Sequence, residues 1–475
     1  MVEYYTFFVM EALSNYDYNS LMRKNRLAGT ATELSPEIAS TLGALFGSYL
    51  GGEDAVVVSA RDFRKDTRMI SRSFNAGLIS VGTTVFELHA CSLPVLQFAL
   101  RRFSAHAGVH FASAHRSPEK INIRIFDQTG VELPFTEIFE KEKLQKRKIV
   151  RSAPDKIADI LSVQQANDLY RSAIRSAMPY DVLKEKNFSI VVDCSLGPVA
   201  EIFPNIMAEL GSKIFTLNSY RPDGIPESLP SPISLTILSR TVVAAKADLG
   251  IAFDPSGSRV IFMDEHGKII DSHVIATILL KNKMIGREKG HVILAETMWV
   301  LEKWLNEKNI SHTFTRGSPG EISRLVQFKR ALFGANEHGS YIHPTFSNES
   351  EPFVSTLLLL WSFAQNEKHT YISSFSEEND VVDENMYLEE YYRINADPTL
   401  FFKKIYENDT EGRVLNTLDG VKIVSGARKW AHVHTSIIPT TLIVKVCAEN
   451  KEDREKLLIE ILDLVRRIDN EVSKN

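Results

Sequence analysis

Apolar runs and polar breaks follow one recurring pattern along this chain: an apolar strand, a short loop, an amphipathic helix, then a second strand after a Gly or Asn turn. The first copy joins Ala55-Val-Val-Val58, a helix around 69–80 and Val85-Phe-Glu-Leu88. The second joins Ser189-Ile-Val-Val-Asp193, a helix over 200–210 and Lys213-Ile-Phe-Thr-Leu217. The third joins His291-Val-Ile-Leu294, a helix over 298–306 and Ser311-His-Thr-Phe314. β-Branched runs interleaved with helices of about 10–12 residues predict βαβ units around mostly parallel sheets. Three copies predict three α/β domains in tandem, and the long intervening segments argue against one large doubly wound domain. The stretch 374–393, rich in Glu, Asp, Asn and Tyr, reads as a solvated connector or an exposed helix. Beyond it, strands at 430–433 and 441–448 and an amphipathic helix at 452–468 predict a smaller α+β domain. The expected boundaries are 1–155, 156–264, 265–375 and 376–475. Within them, 298–304 reads as a core-facing helical stripe and 140–148 as a salt-bridged solvent face. Leu457, Leu458, Ile461 and Leu464 fall on one side of the last helix.

Composition narrows the function. A chain of 475 residues that is 44% hydrophobic and 24% charged has enough apolar material for several cores. A net charge of −5 gives no basic footprint for nucleic acid or an anionic membrane. Cys91, Cys194 and Cys447 are far apart and odd in number, which excludes a disulfide framework and any C-x-x-C motif. The start, Met-Val-Glu-Tyr-Tyr, lacks the basic region of a signal peptide. The longest apolar stretch, 353–364, falls short of the roughly 20 residues that a membrane span needs. The expectation is a soluble, cytoplasmic protein with neither nucleic acid nor membrane as partner.

In α/β sheets, ligands bind beyond the carboxyl ends of the strands. That directs attention to the loops at 111–118, 254–259, 333–343 and 434–440. They stand among distinctive words: Ala60-Arg-Asp-Phe-Arg64, Gly108-Val-His-Phe-Ala-Ser-Ala-His115 with Ile123-Arg-Ile-Phe-Asp127, Ala247-Asp-Leu-Gly-Ile-Ala-Phe-Asp254, and Phe333-Gly334 with Gly339 and Tyr341-Ile342. On these stretches the chain resembles the α-D-phosphohexomutases, the phosphomannomutase and phosphoglucomutase family, over nearly its whole length. The resemblance implies three tandem α/β domains with mixed, mostly parallel sheets, plus a smaller C-terminal α+β domain. It also implies a phosphoserine that exchanges its phosphoryl group with a hexose phosphate, aided by Mg²⁺.

At the positions that carry this chemistry the sequence departs from the family. The phosphoserine loop, T-A-S-H-N-P in the family, reads Ala112-Ser-Ala-His-Arg-Ser117, which sets Ala114 at the nucleophile position beside Ser113, His115 and Arg116. The metal loop, D-G-D-A-D-R, reads Asp254-Pro-Ser-Gly-Ser-Arg259, so that Ser256 and Ser258 replace two carboxylates. Neutral hydroxyls supply neither the charge nor the basicity that a hard cation needs. The sugar loop, G-G-E-x-S-G-H, places Asn336 where the gripping glutamate stands and His338 where the serine stands, with Glu337 between them. The phosphate loop, R-P-S-G-T-E-P, keeps Ser436 but has His434 for its arginine. The N-terminal element is eroded as well, with Ala28 at its Arg position.

Arg61, Arg64, His115, Arg116, Arg124 and Arg259 would leave the cleft basic, unless pairing with neighbours such as Asp62 and Asp127 uses them up. The expected function is sugar-phosphate binding, with a regulatory or partner role beside an active paralogue or another protein. Phosphoserine-dependent turnover is lost in this reading, and no cofactor is expected. One alternative is an active phosphotransferase using Ser113 or Ser117, with Mg²⁺ on Asp254. Against it, neighbouring side chains on an extended segment point to opposite faces, and in-line transfer tolerates little displacement. Another alternative brings His115, His338 and His434, with His432 and His343, together around Zn²⁺ or a phosphohistidine.

Overall fold

The computed structural model describes residues 22–23, 26–114, 117–135, 138, 149–219, 229–282, 290–316, 320–409, 413–417, 419–426, 428–436 and 440–474. Four sheets organise them. The first contains β1 (Met22–Arg23), β2 (Arg26–Gly29), β3 (Val56–Arg61), β4 (Thr84–Ala90), β5 (Ala107–Ala114), β6 (Ser117–Asp127), β7 (Glu132–Leu133) and β8 (Ile160–Ser162). Their order is β1-β2-β6-β5-β3-β4-β8, with β7 beside β6. Strands β5, β3, β4 and β8 run parallel, and the β5–β6 hairpin turns the rest antiparallel. The eighth strand, Ile160–Ser162, lies beyond the boundary expected at residue 155.

The second sheet has β9 (Ser189–Asp193), β10 (Lys213–Leu217), β11 (Leu249–Phe253), β12 (Val260–Met263) and β13 (Ile269–Ile270), ordered β10-β9-β11-β12-β13. The third has β14 (His291–Ala295), β15 (Ser311–Thr315), β16 (Phe333–Ala335) and β17 (Tyr341–Ile342), ordered β15-β14-β16-β17. Each is parallel at its centre and closed on one side by a hairpin. The fourth is wholly antiparallel: β18 (Tyr387–Arg393), β19 (Val414–Asn416), β20 (Gly420–Gly426), β21 (Lys429–Thr435) and β22 (Thr441–Ala448), ordered β18-β22-β21-β20-β19.

Helices cover these sheets. On the first lie α1 (Pro36–Tyr49), α2 (Lys65–Ile79) and α3 (Leu93–Arg102). Next come α4 (Ala166–Ala177), α5 (Tyr180–Glu185), α6 (Val199–Glu209) and α7 (Pro232–Ala245), then α8 (Ser272–Lys281), α9 (Glu302–Glu307), α10 (Glu321–Phe328) and α11 (Pro352–Ala364). The series ends with α12 (Ile372–Asn379), α13 (Pro398–Glu407) and α14 (Lys451–Val472). Local chemistry starts them: Ser35 and Pro36 open α1, and Asn450 accepts the Asp453 N–H at the head of α14. Strand β3 alternates between two cores, because Val57 belongs with Phe46 and Phe74, while Val58 and Ala60 belong with Leu96 and Leu100. That second core continues through the second and third sheets to Trp430 and Cys447 of the fourth. The apolar run at 353–364 is the buried helix α11, and among the described residues no helix is long and apolar enough to cross a membrane.

Two expected elements differ. The stretch 374–393 holds the end of α12 and then β18, which pairs with β22 from Tyr387–Cys447 to Arg393–Thr441. Its Glu389 and Glu390 mark a sheet edge, where charge guards unpaired backbone, and this charge is what reads as a solvated connector. The helix expected over 298–306 starts as a 3₁₀ segment, Glu296–Leu301, before α9. The tighter winding lets consecutive side chains from Thr297 to Leu301 be buried, which a one-faced α-helix does not. The core stripe from Met298 to Trp304 is present, and in α14 Leu457 and Ile461 are buried while Leu458 and Leu464 pack partly against them. The charged run 140–148 lies outside the described residues.

Helices α1 and α2 meet backbone to backbone. A Cβ on Gly43 would lie 2.0 Å from the Phe74 carbonyl oxygen, and one on Gly77 would lie 2.0 Å from that of Ser40. Gly77→Ala should therefore cost about 3 kcal/mol, the upper end for overpacking. Urea denaturation followed by circular dichroism tests this, and an unchanged midpoint would refute the close packing.

Candidate functional site

The segment expected as a loop at 111–118 is mostly strand. β5 runs to Ala114, which pairs with Ser117 at the start of β6, while Ser113 pairs with Ile121. The intervening Pro118, Glu119 and Lys120 form a bulge on β6. Arg64 holds that bulge, because its Nη1 donates to the Pro118 carbonyl and, at 3.3 Å, to that of Lys120. Its other guanidinium nitrogens bind Asp66, with Nε–Oδ1 at 2.9 Å. The buried Asp62 accepts the Arg64 N–H at 3.0 Å, the Thr67 hydroxyl at 2.5 Å and the Ser113 N–H at 2.8 Å. It thereby staples β5 to the head of α2, and burial raises its pKa. Ser117 is buried and Ser113 half-buried, whereas His115 and Arg116 lie outside the described residues.

Two of the arginines expected to leave the cleft basic, Arg64 and Arg124, make internal ion pairs. Arg124 is buried between Glu132, at 2.8 Å, and Glu349, at 3.1 Å. Burial alone would lower its pKa, but the two carboxylates outweigh burial and raise it. Arg61 is buried and donates to the Asp62 carbonyl at 2.9 Å. Burial, with Arg68 nearby, lowers its pKa. Arg64 and Arg124 are therefore structural here, Arg61 keeps a buried Nε without a hydrogen-bond partner, and Asp127 accepts the Thr129 and Val131 N–H groups of its own turn.

The aspartate expected to bind metal is likewise turned inward. Asp254 Oδ1 accepts the backbone N–H groups of Ser258, at 2.6 Å, and Arg259, at 2.8 Å. Oδ2 accepts the Ser256 hydroxyl at 2.6 Å and the Ser258 hydroxyl at 3.2 Å. The hydroxyls of Ser256 and Ser258 thus both bond Asp254. The turn docks on its neighbours as well: Leu93 N–H, at the head of α3, donates to the Ser256 carbonyl at 2.8 Å, and Val260 N–H donates to the Gly339 carbonyl at 3.0 Å. A Cβ at Gly339, whose φ is +75°, would lie 2.1 Å from the Val260 carbonyl oxygen, so only glycine fits there.

Asn336 repeats the arrangement on the β16–β17 hairpin. Its Oδ1 accepts the His338 N–H at 2.9 Å and the Ser340 N–H at 3.2 Å, a turn cap where a sugar grip was expected. Glu337 is buried, accepting the Thr297 hydroxyl at 2.6 Å and facing His338 Nε2 at 3.2 Å. Burial works to raise its pKa, but His338 and Lys422 outweigh it and hold the carboxyl low. Glu337 and His338 line a cavity of about 40 Å³ shared with β12, the 269–273 segment and the face of the fourth sheet carrying Asp419, Lys422, Trp430, His432 and Lys445. Asp271 accepts from Lys445 across this interface at 2.7 Å, and His432 faces Asp419 at 3.3 Å. Sequence reasoning missed Asp271, Asp419, Lys422 and Lys445. One signal was available: a lysine inside the apolar strand Gly420-Val-Lys-Ile-Val424.

The histidines do not gather as the zinc reading required. His338 and His432 share the cavity, and His434 stacks on His432 with ring centroids 4.5 Å apart. His343, however, is buried against Ser355 at 2.8 Å, and among the described residues no three His, Cys, Asp or Glu side chains are grouped to hold a metal. Ser436 closes the end of β21, its N–H donating to the Thr441 carbonyl at 3.0 Å, and 437–439 lie outside the described residues.

Comparison with known proteins places this arrangement. The chain matches "Phosphoglucomutase/phosphomannomutase, alpha/beta/alpha domain I" over residues 21–146 and domain II of the same description over 168–267. A phosphoglucomutase/phosphomannomutase of Thermococcus kodakarensis is 26% identical over 445 residues, covering 89% of this chain and 92% of that protein. A phosphoglucosamine/phosphogalactosamine mutase of Sulfurisphaera tokodaii is 25% identical over 437 residues, covering 89% and 93%. The crystal structure of a candidate phosphomannomutase from Thermus thermophilus superposes with a TM-score of 0.71 at 18% identity, covering 94% of this chain and 98% of that one, so the two share a fold.

The buried charges make two predictions. Burial pushes the His434 imidazole down to about 4, with His432 adding to the effect. The unfolded chain takes up this proton near pH 6.5 and the folded chain only near pH 4, so stability falls as pH drops across that window. His434→Phe should make the loss shallower in denaturation midpoints measured from pH 7 to 4. Arg124→Met should destabilise by about 3–5 kcal/mol, because Glu132 and Glu349 are left buried without their cation. Denaturation at pH 7 reads that loss, and a shift under 1 kcal/mol would contradict it.

Proposed function

The chain belongs to the α-D-phosphohexomutase family of phosphoglucomutases and phosphomannomutases, and from that premise we propose that it binds a hexose phosphate without phosphoserine-dependent turnover, in a regulatory or partner role. The observation that carries this reading is the Asp254 turn, where hydroxyl and N–H donors engage both carboxylate oxygens. A divalent cation needs free, basic oxygen ligands, and Ser256 and Ser258 supply hydroxyls already committed to Asp254. The residues present do not fit Mg²⁺. Ala114, at the hairpin end, offers no hydroxyl to phosphorylate. Three free, buried cysteines suit a reducing, cytoplasmic setting.

An active mutase is the competing reading, favoured by relatives that bear mutase names over most of this chain. It would need Ser113, whose N–H is fixed by Asp62 one residue from the aligned position, or the buried Ser117.

Glucose 1-phosphate, mannose 1-phosphate and glucosamine 1-phosphate, each with Mg²⁺ and a hexose bisphosphate primer, separate the readings. Binding by calorimetry with no product and no mass gain of one phosphate is the expected outcome. Turnover accompanied by a phosphorylated protein would sink the proposal, and the site of that phosphate would identify the nucleophile. A second test restores charge: Ser256→Asp with Ser258→Asp should make the melting temperature rise with Mg²⁺, whereas the unaltered chain should not respond.

A further inference from the structure

The open edge of the first sheet at β8, with the arginines of α2 beside it, is, we propose, a docking surface for an acidic, extended segment of a partner protein that adds a strand to β8. The inference goes beyond hexose-phosphate binding and gives chemistry to the partner role, on which it rests for the choice of a protein as occupant.

β8 ends its sheet, and among the described residues no strand lies beyond it. Val85 N–H donates to the Asp159 carbonyl at 3.0 Å and Val163 N–H to the Glu87 carbonyl at 2.9 Å, so the backbone groups of 159 and 163 face β4. Alternation then turns the N–H and C=O groups of Ile160 and Ser162 outward. Ile160 and Leu161 are 40% and 47% exposed, one on each face of the sheet. Proteins usually guard such an edge with charge or Pro, and Ile160-Leu-Ser162 has neither.

Positive charge gathers on one side of this edge. Arg61 ends β3 on the face that α2 covers, since its neighbour on β5, Phe111, belongs to that core. Its Nε is buried and unpaired. Arg68 and Arg72 stand one turn apart on α2, are exposed, and make no side-chain hydrogen bond or ion pair among the described residues. Burial lowers the Arg61 pKa, and the charges of Arg68 and Arg72 lower it further. Lys65 adds a fourth cation one turn earlier. The acids beside this group are fewer. Asp62 is taken by Thr67 and by the Arg64 and Ser113 N–H groups, and Glu87 faces His89 at 3.5 Å. Asp159 stands at the opposite end of β8. The group is tied to the edge, because Glu87 pairs with Ser162 in the ladder. His89, set at a φ of +59° by a bulge in β4, meets the Ser162 hydroxyl at 2.7 Å.

Edge and charge together select the ligand. A strand added to β8 bonds the outward groups of Ile160 and Ser162, and its side chains alternate between the two faces. Carboxylates at every second position then fall on the α2 side, toward Arg68 and Arg72, where guanidinium donors match them. The apolar residues between them fall beside Leu161, which shares the opposite face with its neighbour Phe86.

Fluorescein-labelled octapeptides of alternating Glu-Val and Lys-Val, titrated with the full chain and read by anisotropy, test the proposal. Glu-Val should bind saturably and Lys-Val should not. A fully N-methylated Glu-Val keeps the charges but donates no backbone hydrogen bond, and should bind at least ten-fold more weakly. Arg68→Glu with Arg72→Glu should weaken Glu-Val at least ten-fold. Ser162→Pro, which removes an outward donor and no bond to β4, should do the same. Lys184→Glu with Lys186→Glu, an equal charge change at the end of α5, should bind as wild type does. If Ser162→Pro does not fold, the N-methylated peptide probes the same hydrogen bonds. No saturable Glu-Val binding to wild type, or binding that the arginine variant leaves unchanged, overturns the proposal. So does equal binding of the N-methylated peptide, which would show a patch that reads charge alone. A wild-type dimer in light scattering that Ser162→Pro dissociates would give the edge to a second copy and overturn it as well. Calorimetry with glucose 1-phosphate on the same proteins keeps the two readings apart. Peptide binding absent with glucose 1-phosphate binding intact removes this inference alone, and the reverse removes hexose-phosphate binding alone.

Discussion

Charge buried between the sheets has to be neutralised locally, and this constraint ties the molecule together. Arg124 leaves the first sheet on β6 and meets Glu349, more than two hundred residues later, just ahead of α11. Tyr170 in α4 donates to Glu351 at 2.6 Å, two residues further along that same segment. Lys445 on the fourth sheet meets Asp271 at the head of α8, and Arg428 bonds Glu302 in α9 while lying over Trp299. Lys403 in α13 reaches Glu119 in the β6 bulge at 3.4 Å. In these three contacts of the fourth unit, cations on its side meet acids on the others. The buried Arg124–Glu349 pair would be costly to break, since either charge would be left without its partner, whereas the half-exposed pairs of the fourth unit add orientation more than energy.

The 254–259 and 336–340 turns obey the same economy on a smaller scale. Asp254 and Asn336 each direct a side-chain oxygen at the N–H groups of the turn that follows. In each case that oxygen serves as the keystone of its own loop. A loop closed in this way keeps its shape without a ligand, since its polar groups are satisfied internally. Conformation here is held by the side chains themselves: the turns after Asp254 and Asn336 are each closed by an oxygen of the residue that opens them.

Much of the fold was legible in the sequence, because strands such as Ser189–Asp193 and Lys213–Leu217 carry continuous apolar runs bounded by turns. The strand Tyr387–Arg393 was not, since an edge strand wears the charges of a loop. The residues at 114, 256 and 258 that depart from the family pattern were legible too, being matters of residue type at a fixed position. The fate of the arginines was not. Arg64 and Arg124 are equally basic on paper, and only the folded chain shows Pro118, Asp66, Glu132 and Glu349 converging on them. The lysine at 422 was marked only by its place in an apolar strand, and the carboxylates of Asp271, Glu337 and Asp419 around it are brought there by the fold.

The glycine contact between α1 and α2 has a mechanical meaning. Two helices separated by full-sized side chains can slide, because rotamers adjust as the ridges pass one another. Here the Gly43 and Gly77 backbones rest directly on facing carbonyl groups, leaving nothing between them to deform. The close backbone contact therefore resists sliding of one helix along the other and holds the pair as one stiff layer beside the first sheet.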